Sequence, residues 1–415
     1  MNNAKSMTRR TFNLAGAAAI AAPMILPSRV LAGPNDAISL GWIGVGRRGQ
    51  QLMGDFRGSK GSQIVAISDL YKPRMEQAAS GKNWKTYQDY RKLLESKEVD
   101  AVVIATPDHW HALNAIHACM AGKDVYVEKP MTLTIREGRE MVKAARKYQR
   151  IVQCGSQQRS MKECRIGCEL ARNQRAGKIH TVHAANYPSP WDQPFPAQPV
   201  PDGLDWDMWL GQTAPRAYHK DIFTPRAQPG WISIMPYSGG EVTGWGAHGI
   251  DIIQWGLGMD ESGPTEIWAE VNSLKLDLFV HLRYENGVEV ITDGKGPEGG
   301  GLFVGDKGSI LVDRGKYKAD PEEIAKEPIA DAEIKLPVSL YHQQNWLDCI
   351  RSRQLPIADV EIGHRSTSVC HLINIARWTR RKLKWDPKNE NFIGDDDANT
   401  YIDRPRREPW GFPKL

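Results

Sequence analysis

A glycine triad, two carboxylates, a lysine and a histidine are the residues of this chain whose types and spacing point to chemistry. Ile38, Leu40, Trp42 and Ile43 make an apolar run that leads directly into Gly44-Val45-Gly46-Arg47-Arg48-Gly49. In a G-x-G-x-x-G loop between a strand and a helix, the first glycine permits the tight turn and the second lets backbone approach a pyrophosphate. The third lets the helix, here running to about Phe56, pack on the strand. The phosphates rest on the helix N-terminus, where free N–H groups and the dipole favour negative charge, and Arg48 stands in that first turn. A short strand over residues 63–68 ends at Asp69, where an acid accepts hydrogen bonds from an adenosine ribose. That carboxylate repels a 2′-phosphate and favours NAD, while Lys72 and Arg74 nearby keep NADP open. Lys129, in Glu128-Lys129-Pro130, is the first proton-transfer candidate, because a lysine in a buried crevice beside a cationic ring has its pKa lowered. His248 is the second, because an imidazole titrates near neutrality and can take a proton as hydride leaves carbon.

These groups need elements that bring them together. Past Asp69 the pattern alternates: a strand at 99–105, a helix at 111–121, a strand at 125–127, a helix at 135–148 and a strand at 151–155. Strands alternating with helices mean a doubly wound parallel sheet, whose ligands collect at the carboxyl ends of the strands. Two motifs stand at such ends, Ala105-Thr106-Pro107-Asp108-His109-Trp110-His111 and Glu128-Lys129-Pro130, so Thr106, Pro107, His111 and Glu128 are expected against the cofactor. After Gly155 the strand-like stretches 180–186, 265–273, 276–284, 288–292 and 309–312 fit a mostly antiparallel sheet. Between them, residues 187–240 are loop-rich with Trp191, Trp206, Trp209, Trp231 and Tyr237, rings suited to the apolar face of a pyranose. Arg159 is a candidate for hydrogen bonds to sugar hydroxyls, and Asp251 is expected early in a helix over 250–257. Two late helices, at 342–353 and 363–381, should pack the domains together, and the polar tail from Asp386 reads as a wrapping arm. The expected division is 33–155 for the dinucleotide domain, 156–385 for the substrate domain and 386–415 for the arm.

The order G-x-G-x-x-G, A-T-P-x-x-x-H, E-K-P resembles the Gfo/Idh/MocA oxidoreductases of sugars and inositols, and most of all their exported, glucose-fructose oxidoreductase-like branch. Further matches are Leu204-Asp205-Trp206-Asp207-Met208-Trp209-Leu210-Gly211, Gly239-Gly240, the stretch Trp245 to Asp251 and Phe303-Val304-Gly305-Asp306-Lys307-Gly308. The resemblance implies an N-terminal Rossmann domain and a C-terminal α+β domain with a large open sheet, often the face of a homodimer or homotetramer. It implies NAD beside Lys129, with Gly44, Gly46, Arg48, Gly49 and Asp69 on the cofactor, and a carbohydrate between Lys129 and His248. Arg159, Trp231, Tyr237 and Asp251 then become the substrate-side candidates. The family places an aspartate four residues before the histidine, and here that position is Gly244. Its loss leaves the histidine less basic, moves the acid role to Glu241, or signals a chemistry other than simple alcohol oxidation. Some relatives oxidise a glycoside transiently so that its bond eliminates, which makes a redox-neutral glycosidase or lyase the alternative to an oxidoreductase. A silent binding protein is disfavoured by the intact Lys129 and phosphate loop.

With 41% hydrophobic and 25% charged residues, the 415-residue chain belongs to the ordinary globular class. Four of the charges behind its net +5 lie in residues 1–32, at Lys5, Arg9, Arg10 and Arg29, and without them +1 remains, which gives no basis for a nucleic-acid partner. Thr8-Arg9-Arg10-Thr11-Phe12-Asn13-Leu14, a weakly apolar run and Val30-Leu31-Ala32 resemble a twin-arginine export signal, implying the twin-arginine translocase as a partner and a periplasmic destination. Cys164 and Cys168 read as buried structural thiols. His109 and His111, two apart with no third ligand, read as a loop residue and a helix-start residue rather than a metal pair, so no metal is expected.

Overall fold

The structure, a computed structural model, describes residues 37–226, 229–271 and 278–415; residues 1–32, which the sequence reading assigns to an export signal, lie outside the described residues. Strands β1 (Ile38–Ile43), β2 (Ser62–Ser68), β3 (Lys85–Tyr87), β4 (Ala101–Ile104), β5 (Asp124–Val127) and β6 (Val152–Cys154) form one sheet in the order 3-2-1-4-5-6. Every neighbouring pair in it is parallel. Its central strands β4 and β5 are buried at every residue, as a sheet covered on both faces requires. The covering helices include α1 (Arg47–Phe56), α2 (Lys72–Ala79), α3 (Asp108–Met120) and α4 (Ile135–Lys147).

The second sheet comprises β7 (Ile179–Ala184), β8 (Glu266–Val271), β9 (Leu278–Arg283), β10 (Glu289–Ile291), β11 (Gly301–Gly305), β12 (Gly308–Asp313), β13 (Lys316–Asp320), β14 (Leu383–Asp386) and β15 (Asn391–Phe392). They run in the order 13-12-11-7-10-9-8-14-15, antiparallel except for β7 with β10. Helices α5 (Lys162–Arg172) and α6 (Gly246–Leu257) lie against it. The chain is thus an α/β protein with a Rossmann sheet followed by an α+β domain.

This sheet holds four strands that the sequence reading did not mark. β13 reads Lys-Tyr-Lys-Ala-Asp, a charged edge strand with no apolar run to announce it, and β11 is closed by a glycine at each end. α3 begins at Asp108, so His109 is helical rather than in a loop; Pro107 precedes the first turn, where its missing N–H is harmless. α6 begins at Gly246, which puts His248 inside the helix. The glycines there are small for packing: a Cβ on Gly246 would stand 3.0 Å from the Tyr187 ring and one on Gly249 3.2 Å from the Gly300 carbonyl.

Two helices tie the halves together. α7 (His342–Ser352) inserts the fully buried Trp346 into the Rossmann core, its ring 5.9 Å from Phe56 and 5.8 Å from Tyr126. α8 (Val360–Thr379) is buried at fifteen of its twenty residues, the signature of a central helix, and it crosses α4 where Gly138 meets His364. His364 is locked there by Glu390, 2.6 Å away, which Arg139 also binds at 2.7 Å. A Cβ on Gly138 would lie 2.2 Å from His364 Nδ1. Gly138→Ala is therefore expected to destabilise the protein by about 1–3 kcal/mol through overpacking. Gly54→Ala, on the open face of α1, should instead stabilise it by roughly 0.5–1 kcal/mol. Chemical denaturation of both variants checks the opposite signs.

Candidate active site

One cavity of about 650 Å³ opens at the carboxyl ends of β1, β2, β4 and β5 and is closed on its far side by residues of the second domain. Its size suits a dinucleotide or a comparable ligand. At one end lies the glycine loop. Gly44 has φ +90° and donates its N–H to Ser68, and a Cβ on it would lie 2.7 Å from the Ala105 carbonyl oxygen. A Cβ on Gly49 would fall 2.1 Å from the Gly44 carbonyl oxygen, so only glycine lets α1 close onto the turn. Gly46 faces open space, with Arg74 the nearest group at 3.7 Å, which leaves room for a pyrophosphate at the α1 N-terminus. Asp69 lines this end and is already engaged: its two oxygens accept the Val45 and Tyr71 N–H groups, each at 2.9 Å. A carboxylate oxygen has a second lone pair, so a ribose hydroxyl can still bind. Arg74 lies 3.6 Å from that carboxylate.

The strand-end motifs fix the other end. His111 does not face the cavity. Its ring nitrogens lie 2.7 and 2.9 Å from the carbonyl oxygens of Pro130 and Thr106, so it joins the two motif loops. Glu128 accepts from Arg48 at 2.9 Å and from Gln157 at 3.0 Å, which bridges α1 to β5. Lys129 lines the cavity and donates from Nζ to the Gly244 carbonyl at 2.7 Å, a hydrogen bond between the two domains. Burial lowers its pKa from 10.5, against the opposing pull of Glu128 and Asp108. His248 lines the same cavity, edge-on to Trp245 at 5.3 Å. Burial holds its pKa well below 6.5, and the charges of Lys129, Arg314 and Arg48 push the same way, so the imidazole is neutral at pH 7.

The departure at Gly244 has a steric account. A Cβ at 244 would stand 2.9 Å from Glu241 Oε2, so the Glu241 carboxylate, paired with Arg226 at 3.1 Å, occupies the space of the expected aspartate. Three further residues, Arg159, Asp251 and Tyr237, stand elsewhere than the sequence reading expects. Arg159 and Asp251, read as substrate contacts, are each 1% exposed and bind each other at 2.9 Å, with Asp260 on Arg159 and Ser366 on Asp251. They brace the domain and do not line the cavity. Tyr237 is buried in an aromatic cluster with Trp209, 5.0 Å away, and only Trp231 of the two substrate-side rings reaches the cavity. Among the lining residues that carried no role in the sequence reading are Asp108 and Arg314. Asp108 was within a quoted motif; burial pushes its pKa up to about 7, opposed by the 2.6 Å hydrogen bond from Ser238 and by Lys129. Arg314, on a distant hairpin, had no local signal. Among the described residues no group of three metal-ligating side chains gathers, and no helix is long and apolar enough to cross a membrane.

Residues 38–156 match the family described as Oxidoreductase family, NAD-binding Rossmann fold, and residues 184–412 match its C-terminal alpha/beta domain. A glycosyl hydrolase family 109 protein of Shewanella sp. (strain ANA-3) is 40% identical over 125 residues, 28% of this chain and 27% of that protein. The chain thus matches about a quarter of the length of such relatives. Among solved structures, the WlbA dehydrogenase from Bordetella pertussis, in complex with NADH and UDP-GlcNAcA, superposes with a TM-score of 0.63 at 19% identity, over 86% of this chain and 99% of that one. The scyllo-inositol dehydrogenase from Lactobacillus casei gives 0.58 at 18% identity, over 84% and 98%.

Gly244→Asp should place two carboxylates in one space and destabilise the protein by roughly 1–3 kcal/mol. The double variant Glu241→Ala/Gly244→Asp should recover most of that loss. Thermal melts of both, beside the parent, provide the check.

Proposed function

The chain belongs to the Gfo/Idh/MocA oxidoreductase family across both of its domains, and from that premise we propose that it moves a hydride between a ring carbon of a carbohydrate and bound NAD. The observation that carries this reading is the meeting of Lys129 and His248, one from each domain, in the cavity that begins at the glycine loop. The cradle fits the cofactor: Gly44, Gly46 and Gly49 leave backbone and helix N-terminus free for the pyrophosphate. When bound, the nicotinamide accepts or returns the hydride. The chain's own groups do the rest. Lys129, tethered at Nζ to the Gly244 carbonyl, keeps further N–H donors to orient the substrate oxygen. His248, kept neutral, takes the hydroxyl proton as the C–H bond breaks. Trp231, in the wall that the second domain contributes, offers a ring to the sugar.

A second reading, redox-neutral cleavage of a glycoside, is supported by the family 109 relatives and by a third titratable group in the cavity, Asp108. In it, oxidation of a ring carbon acidifies the neighbouring C–H, a base removes that proton, the glycosidic bond breaks, water adds and the hydride returns. A keto sugar as product supports the first reading, and a released aglycone with no net change in NADH supports the second. We further propose export by the twin-arginine route, supported by the Arg9-Arg10 motif and tested by the N-terminus of the mature protein in a periplasmic fraction.

Lys129→Ala is expected to lower kcat by about 10²–10⁴-fold, the usual worth of a positioned proton-transfer group. The NAD released on denaturation should be unchanged, and full activity in that variant would sink the assigned role. Because His248 is held below 6.5, kcat/KM should stay level as pH falls through 6.5 and decline only at lower pH. His248→Asn should abolish that acid limb together with most of the rate, which a pH series from 4.5 to 9 would show.

A further inference from the structure

Six cations line the cavity, Arg47, Arg48, Arg74, Lys129, Arg226 and Arg314, against three carboxylates. Half of them have a counter-charge: Arg74 has Asp69, Arg48 has Glu128, and Arg226 has Glu241. Arg47 stands on the first turn of α1, where it faces the pyrophosphate end. Arg314, on the β12–β13 turn, has no carboxylate within ion-pair distance among the described residues, although its orientation is fixed. Its Nε donates to Oε1 of Gln158 at 3.0 Å, and its guanidinium lies over the Trp245 ring, 4.7 Å from the centroid. Gln158 is itself 1% exposed and held by its other end to the Gly299 carbonyl. With its Nε so engaged, Arg314 lines the cavity beside His248 and Trp245.

We propose that the carbohydrate carries a carboxylate, as in a hexuronic acid or its glycoside, and that Arg314 reads it. A guanidinium whose Nε is already engaged offers a planar pair of N–H donors, the geometry that matches a carboxylate bidentately. Arg314 and His248 line the same cavity and the Arg314 charge acts on the imidazole, so the proposal places the recognised acid and the oxidised carbon on one sugar. The inference rests on the hydride-transfer reading for the identity of the site, yet its test separates the two. The NAD-loaded protein is titrated by calorimetry with D-glucuronate, D-galacturonate, the matching neutral hexoses and glucose 6-sulfate, while absorbance at 340 nm follows any hydride transfer. The expected result is binding of at least one hexuronate about tenfold or more tighter than its neutral hexose. That preference should vanish in Arg314→Leu and survive in part in Arg314→Lys, with NAD content unchanged in both. Equal or tighter binding of the neutral hexoses, a preference that persists in Arg314→Leu, or tighter binding of the sulfate ester would each overturn the assignment. A hexuronate preference without any change at 340 nm would uphold it and overturn net oxidation of that sugar.

Discussion

The Lys129 end of the cavity is organised around one partly buried ammonium group. A buried cation needs a partner for its N–H donors, and Lys129 finds one in the carbonyl of Gly244, across the domain boundary. That bond makes the second domain part of the lysine's environment and positions the turn before α6, hence His248. It also accounts for the surroundings. Glu128, the neighbouring charge, is held by Arg48 and Gln157, and the space beside Gly244 is filled by a carboxylate that Arg226 holds. Shifting any of these would change how strongly Lys129 holds its proton.

Local signals carried the cofactor end of the site. Gly44, Gly46, Gly49 and Asp69 lie within one strand-loop-helix-strand unit, and their roles follow from backbone geometry that short sequence stretches encode. Lys129 was legible for the same reason, because it stands directly after a buried strand. What was not legible depends on contacts distant in sequence. Arg159 looked free beside a strand end, and only the fold shows Asp251 reaching it from ninety-two residues away. His111 looked like a cofactor contact, yet its ring joins two loops whose proximity no spacing reveals. Arg314 comes from a hairpin whose second strand is too charged to stand out, and Gln158, which aims it, is equally remote.

The aromatic segment between β7 and α6 shows how a loop-rich stretch keeps its shape. Trp206 and Trp209 stack at 4.6 Å, Tyr218 meets Trp206 edge-on at 5.1 Å, and His109 of α3 lies 5.3 Å from Tyr237. This small separate core lets a segment with few backbone ladders stand rigidly over the cavity. Several of its rings serve packing alone, while Trp209, Phe223, Trp231 and Trp245 also line the cavity.

The Rossmann domain is not finished by its own residues. Trp346 fills the space beneath α1, and near the end of the chain Trp410 packs on Trp110 of α3 at 4.9 Å while Arg407 binds Asp207 at 2.7 Å. These side chains leave the ribosome long after residues 38–156 have been made. Residues 38–156 alone therefore lack two rings against which their own core packs, so the cofactor sheet shares its stability with segments made much later.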